Sequence, residues 1–322
     1  MKTVLLITAR FDPAADLLLA ELRRRGAACV RWNTHEFPLE SSLNYRASDG
    51  DFCADIVTDG RTIDLSAVGS IWWQWDVPCG FPSDLQGEER RFAEAESHLA
   101  VSALMTVGDY FWINFPAREN LAKSKPAQLF VAGKLGMEIP KTLVSNDPAE
   151  VRRFIAGSKA DIVYKGLSQP HMVPGTALFT GLLTKETLAN LDLIRLTPGI
   201  FQERVEKAYE LRVTVVGSKI FAVKIDSQKI RDAQLDWRRA LHDVGYEAVE
   251  LPRAVEEKIL SFMRSFGLFY GAFDFIVTPD GRYVFLEINP SGQYMWLECA
   301  ADLGITAALA DALMEPCASG AG

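Results

Sequence analysis

Residues 274–290, Asp-Phe-Ile-Val-Thr-Pro-Asp-Gly-Arg-Tyr-Val-Phe-Leu-Glu-Ile-Asn-Pro, constrain this chain more than any other stretch. Two apolar runs flank Asp280-Gly281, a turn dipeptide, so the segment reads as a β-hairpin. Side chains alternate between the two faces of a strand, which puts Glu287 and Asn289 on one side. A two-residue turn at Asp280-Gly281 sets Asp274 directly opposite Glu287. A three-residue turn slides the register by one and separates them, unless a bulge restores it. Asp274, Glu287 and Asn289 together offer three hard oxygen ligands, a seat for Mg²⁺ that needs phosphate oxygens to complete its shell. Acid and amide side chains are equally at home on the solvated face of an antiparallel pair. Here, however, they interrupt very apolar strands, and lysines and an arginine stand upstream.

At 322 residues the chain is long enough for two or three domain-sized units. Its 48% hydrophobic and 24% charged content reads as a soluble globular protein. A formal net charge of -8 excludes general nucleic-acid binding through a basic surface, so a nucleotide ligand requires local lysines and arginines. Cys29, Cys53, Cys79, Cys299 and Cys317 are dispersed and odd in number, which fits a reducing cytoplasm and no disulfide framework. His35, His98, His171 and His242 lack metal-ligand spacing and read as surface or hydrogen-bonded residues. The apolar start, 1–8, is followed at once by Arg10 and Asp12 and reads as a first strand, not a signal peptide. No run approaches the ~20 apolar residues of a membrane span.

The order of elements predicts an α/β chain with α+β character. A strand at 4–8, a helix capped by Asp12-Pro13 and ended by Gly26, and a strand at 29–32 make a βαβ opening. The intervening turn lacks the glycines of a dinucleotide fingerprint. A strand at 70–76 carries Trp72, Trp73 and Trp75 and reads as buried on both faces, with a peptide-binding surface as the alternative. A helix is expected over 88–110, and a boundary near Asn114-Phe115-Pro116. The second unit, 116–200, holds a helix at 126–135, a strand at 139–144, a helix capped by Asn146-Asp147, a strand at 161–165, a mobile loop at 166–181 and a helix at 184–193. The third, 201–322, holds a hairpin around Gly217-Ser218, a helix at 253–266, the 274–289 hairpin and closing apolar helices.

Two lysines precede the hairpin, Lys125 at a helix start and Lys165 at a strand end beside the loop. Lysine is a compact charge suited to phosphate oxygens, and a helix start attracts anions. Each alone is as consistent with surface charge; their joint placement before a loop is more specific. Phe201-Gln202-Glu203-Arg204-Val205 is a hinge-like strand able to offer a backbone carbonyl and N–H to an adenine. Glu210 and Arg212 share a strand face. They suit a ribose and a phosphate or carboxylate, or simply a cross-strand ion pair.

Together these residues resemble the ATP-grasp ligases, and within them the microviridin-type (graspetide) maturases of ribosomally made peptides. The resemblance covers nearly the whole chain, weakly over 1–115 and strongly over 116–298. It is carried by Ser124-Lys125, Lys165-Gly166-Leu167-Ser168, Gln202-Glu203-Arg204-Val205-Glu206-Lys207, Glu210-Leu211-Arg212-Val213-Thr214-Val215-Val216-Gly217, Ile225-Asp226-Ser227-Gln228, Asp236-Trp237-Arg238, and Asp274 with Glu287-Ile288-Asn289-Pro290-Ser291-Gly292-Gln293. It implies an ATP-grasp fold behind an N-terminal α/β pre-ATP-grasp domain (1–115), with a central subdomain (116–200) and a C-terminal one (201–322).

The resemblance further implies that Lys125 and Lys165 contact ATP. Gln202, the Glu203 carbonyl and the Val205 N–H would read adenine, and Glu210 the ribose. Asp274, Glu287 and Asn289 would hold two Mg²⁺ ions. Arg212 would face the γ-phosphate and the activated carboxylate. Asp236, or Asp226, would orient a nucleophile. Arg238 would capture an acidic side chain or else lie in solvent. The loop after Lys165 would close over ATP, although 169–175 is less glycine-rich than a typical lid. The implied activity is ATP-dependent closure of ester or amide crosslinks in a precursor peptide whose leader docks near 184–194, by a cytoplasmic enzyme and, by analogy, a homodimer. A carboxylate–amine ligase and a non-catalytic ATP-binding scaffold remain the alternatives.

Overall fold

The computed structural model describes residues 2–74, 79–167, 180–240 and 243–315. Ser168, the lid residues 169–175, Trp75, His171, His242 and Cys317 lie outside them.

The chain opens as its sequence implies. Strand β1 (Thr3–Thr8) leads to α1 (Pro13–Arg24), whose first turn is capped by the Asp12 carboxylate accepting from the N–H groups of Ala14 and Ala15. Then come β2 (Cys29–Asn33), β3 (Ser42–Ser48), β4 (Asp51–Thr58), β5 (Arg61–Asp64), β6 (Val68–Trp73), α2 (Gly87–Ser102) and β7 (Phe111–Ile113). A parallel sheet of order β2-β1-β6-β7 forms the centre, and β3-β4-β5 is a separate antiparallel sheet. Trp72 and Trp73 are buried in different clusters on opposite faces of β6, the arrangement expected of a strand covered on both sides.

Two expectations fail in this unit. The 88–110 helix stops at Ser102, and β7 follows where only a boundary is expected. With Ile71 and Trp72 as partners, three residues suffice for a strand, because pairing supplies what local propensity does not. The β3–β5 sheet is also absent from the sequence expectation; β3 and β5 are largely exposed, and the buried alternation in β4 is confined to Ala54, Ile56 and Thr58.

Next come α3 (Pro116–Ala122), α4 (Lys125–Lys134), β8 (Thr142–Ser145), α5 (Pro148–Ala156), β9 (Ile162–Lys165), β10 (Gly181–Leu182), α6 (Lys185–Ala189) and β11 (Gly199–Glu203). The second sheet has the order β10-β9-β11-β8. The helix expected at 184–193 is shorter: α6 gives way to a 3-10 turn at Leu191–Leu196. Strand β11 runs across position 200, where the second and third units were expected to divide.

The remainder builds β12 (Tyr209–Val216), β13 (Lys219–Ile225), β14 (Tyr246–Val249), α7 (Arg253–Phe266), β15 (Tyr270–Val277), β16 (Tyr283–Asn289), α8 (Met295–Ala301) and α9 (Ile305–Met314). The five-stranded antiparallel sheet β14-β13-β12-β15-β16 has two unlike faces. On one, Ile259, Phe262, Met263 and Phe266 of α7 pack on Val213, Val215, Phe273, Phe275, Phe285 and Ile288, with Ala132 of α4 beside them. Each such side chain is worth about 1.5–3 kcal/mol of burial. Phe262→Ala at the centre of this cluster would cost about 3–5 kcal/mol. On the other face Val216, Val223 and Tyr270 pack with α1, α8 and α9, while Glu210, Asp274, Ile276 and Glu287 form one wall of a cleft opposite the β10-β9-β11-β8 sheet.

Asn114 ties the N-terminal sheet to this wall. Its Nδ2 donates to the carbonyls of Tyr270 (2.9 Å) and Pro290 (2.8 Å), and its Oδ1 accepts from the N–H groups of Phe269 and Tyr270. One buried amide thus satisfies four backbone groups at the entry of β15 and the exit of β16. Among the described residues no helix is long and apolar enough to cross a membrane.

Candidate active site

The β15–β16 hairpin realises the less direct of its two geometric options. Val277 pairs with Tyr283, and Thr278 N–H donates to Arg282 O, so the turn is the three-residue Pro279-Asp280-Gly281. Gly281 sits at φ 83°, the left-handed conformation that closes such loops. This register would put Glu287 out of line with Asp274. A β-bulge corrects it: Phe275 pairs with Phe285 but Asp274 with Glu287, leaving Leu286 as the extra residue. Phe285 and Ile288 are buried in the α7 core, while the two residues between them, Leu286 and Glu287, both line the cleft.

Asp274, Glu287 and Asn289 therefore share one face, as the sequence implied. Asn289 Nδ2 donates to Asp274 Oδ2 at 3.2 Å. Arg212, the cross-strand neighbour of Asp274, donates from Nη1 to the same oxygen at 2.9 Å. The cross-strand ion pair weighed as the alternative for Arg212 is therefore present, with Asp274 as its partner. Lys125, at the start of α4, reaches Glu287 Oε2 at 2.9 Å. Burial pushes the Asp274 carboxyl up, against the Arg212 charge. Burial acts the same way on Glu287, but Lys125 and Lys165 prevail and hold it below the usual carboxylate range.

These residues fit a divalent cation on one structural ground: Asp274 Oδ1 is buried with no hydrogen-bond partner among the described residues. A buried carboxylate oxygen without a donor is costly unless a cation takes it. Among the described residues no group of three His, Cys, Asp or Glu side chains is placed to hold a metal. Two carboxylates with an amide suit Mg²⁺, which draws further ligands from phosphate and water.

Lys165, at the end of β9, donates to Gln202 Oε1 at 2.7 Å, and Gln202 Nε2 donates to Thr142 Oγ1. Desolvation pushes the Lys165 ammonium down to about 8, although Glu287 opposes it. Glu203 and Val205 line the cleft beside Pro140, Val163, Leu235, Ile276 and Leu286, which supply apolar walls for a flat base.

Glu210 also faces the cleft. It accepts from Lys207 Nζ at 2.6 Å and from the buried Ser227 hydroxyl. Asp236 and Arg238 form a fork: Nε to Oδ1 at 2.8 Å and Nη2 to Oδ2 at 2.6 Å. Arg238 is therefore held, not loose in solvent, and Asp236 spends both oxygens on it. Asp226, the other acid considered for orienting a nucleophile, pairs with Lys229. Burial works to raise the Asp236 carboxyl, yet Arg238 holds it below its ordinary value.

Of the residues named from sequence, ten line one cleft: Lys125, Lys165, Gln202, Glu203, Val205, Glu210, Asp236, Arg238, Asp274 and Glu287. Arg212 and Asn289 reach it through Asp274. Sequence reasoning missed Lys207, Leu286 and Ile276 as lining residues. Lys207 offered one signal, its position three residues before Glu210.

Comparison with known proteins decides the family. The MvdD pre-ATP grasp domain model matches residues 3–120. The macrocyclase MdnC from Microcystis aeruginosa MRC, solved with the precursor peptide MdnA, is 35% identical, superposes with a TM-score of 0.87 and covers 97% of this chain and 99% of its own. The chain belongs to the RiPP-associated ATP-grasp macrocyclases. A second macrocyclase of the family, MdnB from the same organism, is 30% identical, with a TM-score of 0.84 and coverage of 97% and 99%. A family ligase from Chryseobacterium gregarium, solved with ADP and a leader and core peptide, is 29% identical, with a TM-score of 0.89 and coverage of 97% and 96%. No curated protein matches the chain. The macrocyclase fold is thus the ATP-grasp fold with a pre-ATP-grasp domain in front.

Proposed function

We propose that this protein activates acidic side chains of a ribosomally made precursor peptide with ATP and closes ester or amide crosslinks within that peptide. The single observation that supports the reading best is the Asp274–Glu287 pair, opposed across the bulged hairpin and flanked by Asn289, Arg212 and Lys125. MdnC is a macrocyclase bound with its precursor peptide, and the Chryseobacterium gregarium ligase holds ADP with leader and core.

In this reading a carboxylate of the peptide attacks the γ-phosphorus of ATP, and the bond to the bridging oxygen breaks to release ADP. The resulting acyl phosphate is attacked at its acyl carbon by a hydroxyl or amine of the same peptide, which expels phosphate. Phosphoryl transfer depends mainly on positioning and charge neutralisation. Lys125 and Lys165 would grip the phosphates, and Arg212 would meet charge developing on the γ-phosphate and the acyl oxygen. Gln202, Glu203 and Val205 would bind the base and Glu210 the ribose. Arg238, locked by Asp236, would present its remaining N–H groups to an acidic side chain. Two Mg²⁺ ions held by Asp274, Glu287 and Asn289 would supply further neutralisation of the triphosphate. We place 1–115, 116–200 and 201–322 as the pre-ATP-grasp, central and C-terminal units, and the protein in the cytoplasm.

Mass spectrometry tests this directly. A candidate precursor incubated with enzyme and Mg-ATP is expected to lose one water mass per ring while ADP accumulates. A gain equal to an added amino acid would instead mark a carboxylate–amine ligase, and no ADP release a scaffold.

A further inference from the structure

Two polar atoms beside the cleft are buried with no hydrogen-bond partner among the described residues: Arg212 Nε and Thr214 Oγ1. They belong to residues two apart on β12, so both side chains leave the strand on one face. The guanidinium leans toward the Thr214 row. A Cβ built on Gly292 would come within 2.6 Å of Arg212 Nη2, 2.8 Å of Ala272 Cβ and 3.1 Å of Asn289 Cβ. Ala272 is the cross-strand partner of both Thr214 and Asn289. The missing side chain at Gly292 thus lets the guanidinium pack closely over this row, where a larger residue would displace it. Thr214 itself is fully buried.

Buried donors and hydroxyls in folded proteins are paired, with ordered water where protein atoms do not reach. We infer that Thr214 is a positioning residue for Arg212, coupled to its Nε–H through a buried water. The water accepts from Nε–H and donates to Thr214 Oγ1. Among the described residues, Arg212 makes one hydrogen bond in the cleft, from Nη1 to Asp274, an acid whose oxygens are also claimed by the metal role. A second anchor at Nε would keep the guanidinium in place when Asp274 turns to a cation. The inference rests on the proposed role of Arg212 in phosphoryl transfer and adds a residue to it.

The test uses two variants that pull in opposite directions. Thr214→Val keeps the shape and removes the hydroxyl; Thr214→Ser keeps the hydroxyl and removes the methyl. A packing role predicts full activity for valine and loss for serine. The positioning role predicts that valine lowers kcat about tenfold with little change in the KM for ATP, that serine stays near wild type, and that valine has no further effect in an Arg212→Lys background. Wild-type kcat in Thr214→Val would overturn it. A high-resolution crystal structure of the wild-type protein gives a reading that needs no turnover. Density within hydrogen-bond distance of both atoms supports the inference and its absence overturns it, whereas failure of the wild type to release ADP with any precursor bears on the functional reading instead.

Discussion

Leu286 and Glu287 are adjacent in sequence and line the same cleft. A regular strand forbids this; the bulge between the Phe275–Phe285 and Asp274–Glu287 pairs permits it. One extra residue both returns Glu287 to its place opposite Asp274 and adds an apolar wall to the cleft.

That relationship separates two variants. Leu286→Ala should weaken ATP binding by up to about tenfold, the equivalent of about 1.4 kcal/mol of lost apolar contact, without altering Mg²⁺ dependence. Deleting Leu286 should leave Asp274 facing Glu287 in an unbulged ladder, so the fold and the acid pair survive while nucleotide affinity falls. Calorimetric titration of ATP into both variants, with circular dichroism for the fold, checks this; a deletion that unfolds the protein would contradict it.

Asp274→Asn and Glu287→Gln remove charge but not volume. Each should lower peptide-dependent ADP release by at least about a hundredfold. Each should also abolish the rise in melting temperature that Mg-ATP gives the wild type. Differential scanning fluorimetry and a coupled ADP assay report the two effects separately. Turnover that persists in either variant would refute the metal assignment.

Lys165 sets a pH dependence. Its folded pKa, about 8, lies below the ordinary lysine value of 10.5. Between these values the unfolded chain binds more protons, so this lysine's contribution to stability improves as pH rises through that window and is least favourable below about 8. Nucleotide binding runs the other way, because phosphate favours the ammonium. Binding of ATP near pH 8.5 should therefore take up a proton, seen as a binding enthalpy that varies with buffer ionisation enthalpy. In Lys165→Met this dependence should shrink and affinity should fall at every pH.

The Asp236–Arg238 fork predicts a split in kinetic constants. Asp236→Asn frees the guanidinium and Arg238→Lys replaces its planar geometry, so both should raise the KM for the peptide by about tenfold or more while leaving the KM for ATP nearly unchanged. Steady-state kinetics with each substrate varied in turn decides it. Equal effects on both constants would place Arg238 on the nucleotide instead.

Much of this site was legible in sequence because its chemistry is concentrated on strands, where period-two alternation assigns faces. Glu210 with Arg212, and Glu287 with Asn289, follow from spacing alone. The Asp274–Glu287 pairing was legible only as a conditional, since turn length and bulge offset each other and neither has a strong local signal. Lys207 was missed because it acts from an irregular segment, through a contact that no periodicity encodes. β7 was missed because a three-residue strand owes its existence to β6, and β3–β5 because β3 and β5 are mostly exposed and the buried alternation of β4 spans only Ala54 to Thr58. The 184–193 helix was overextended because its apolar residues continue into a tighter turn with the same periodic appearance.

Asn114 carries a lesson for protein engineering. Since this amide closes the hydrogen bonds of the segments that begin β15 and follow β16, the front domain cannot be exchanged between relatives as an independent cassette. A chimera spliced ahead of position 114 keeps the clasp with its native backbone partners; one spliced behind it must import an asparagine of matching reach, or the β15–β16 hairpin loses its hold at both ends.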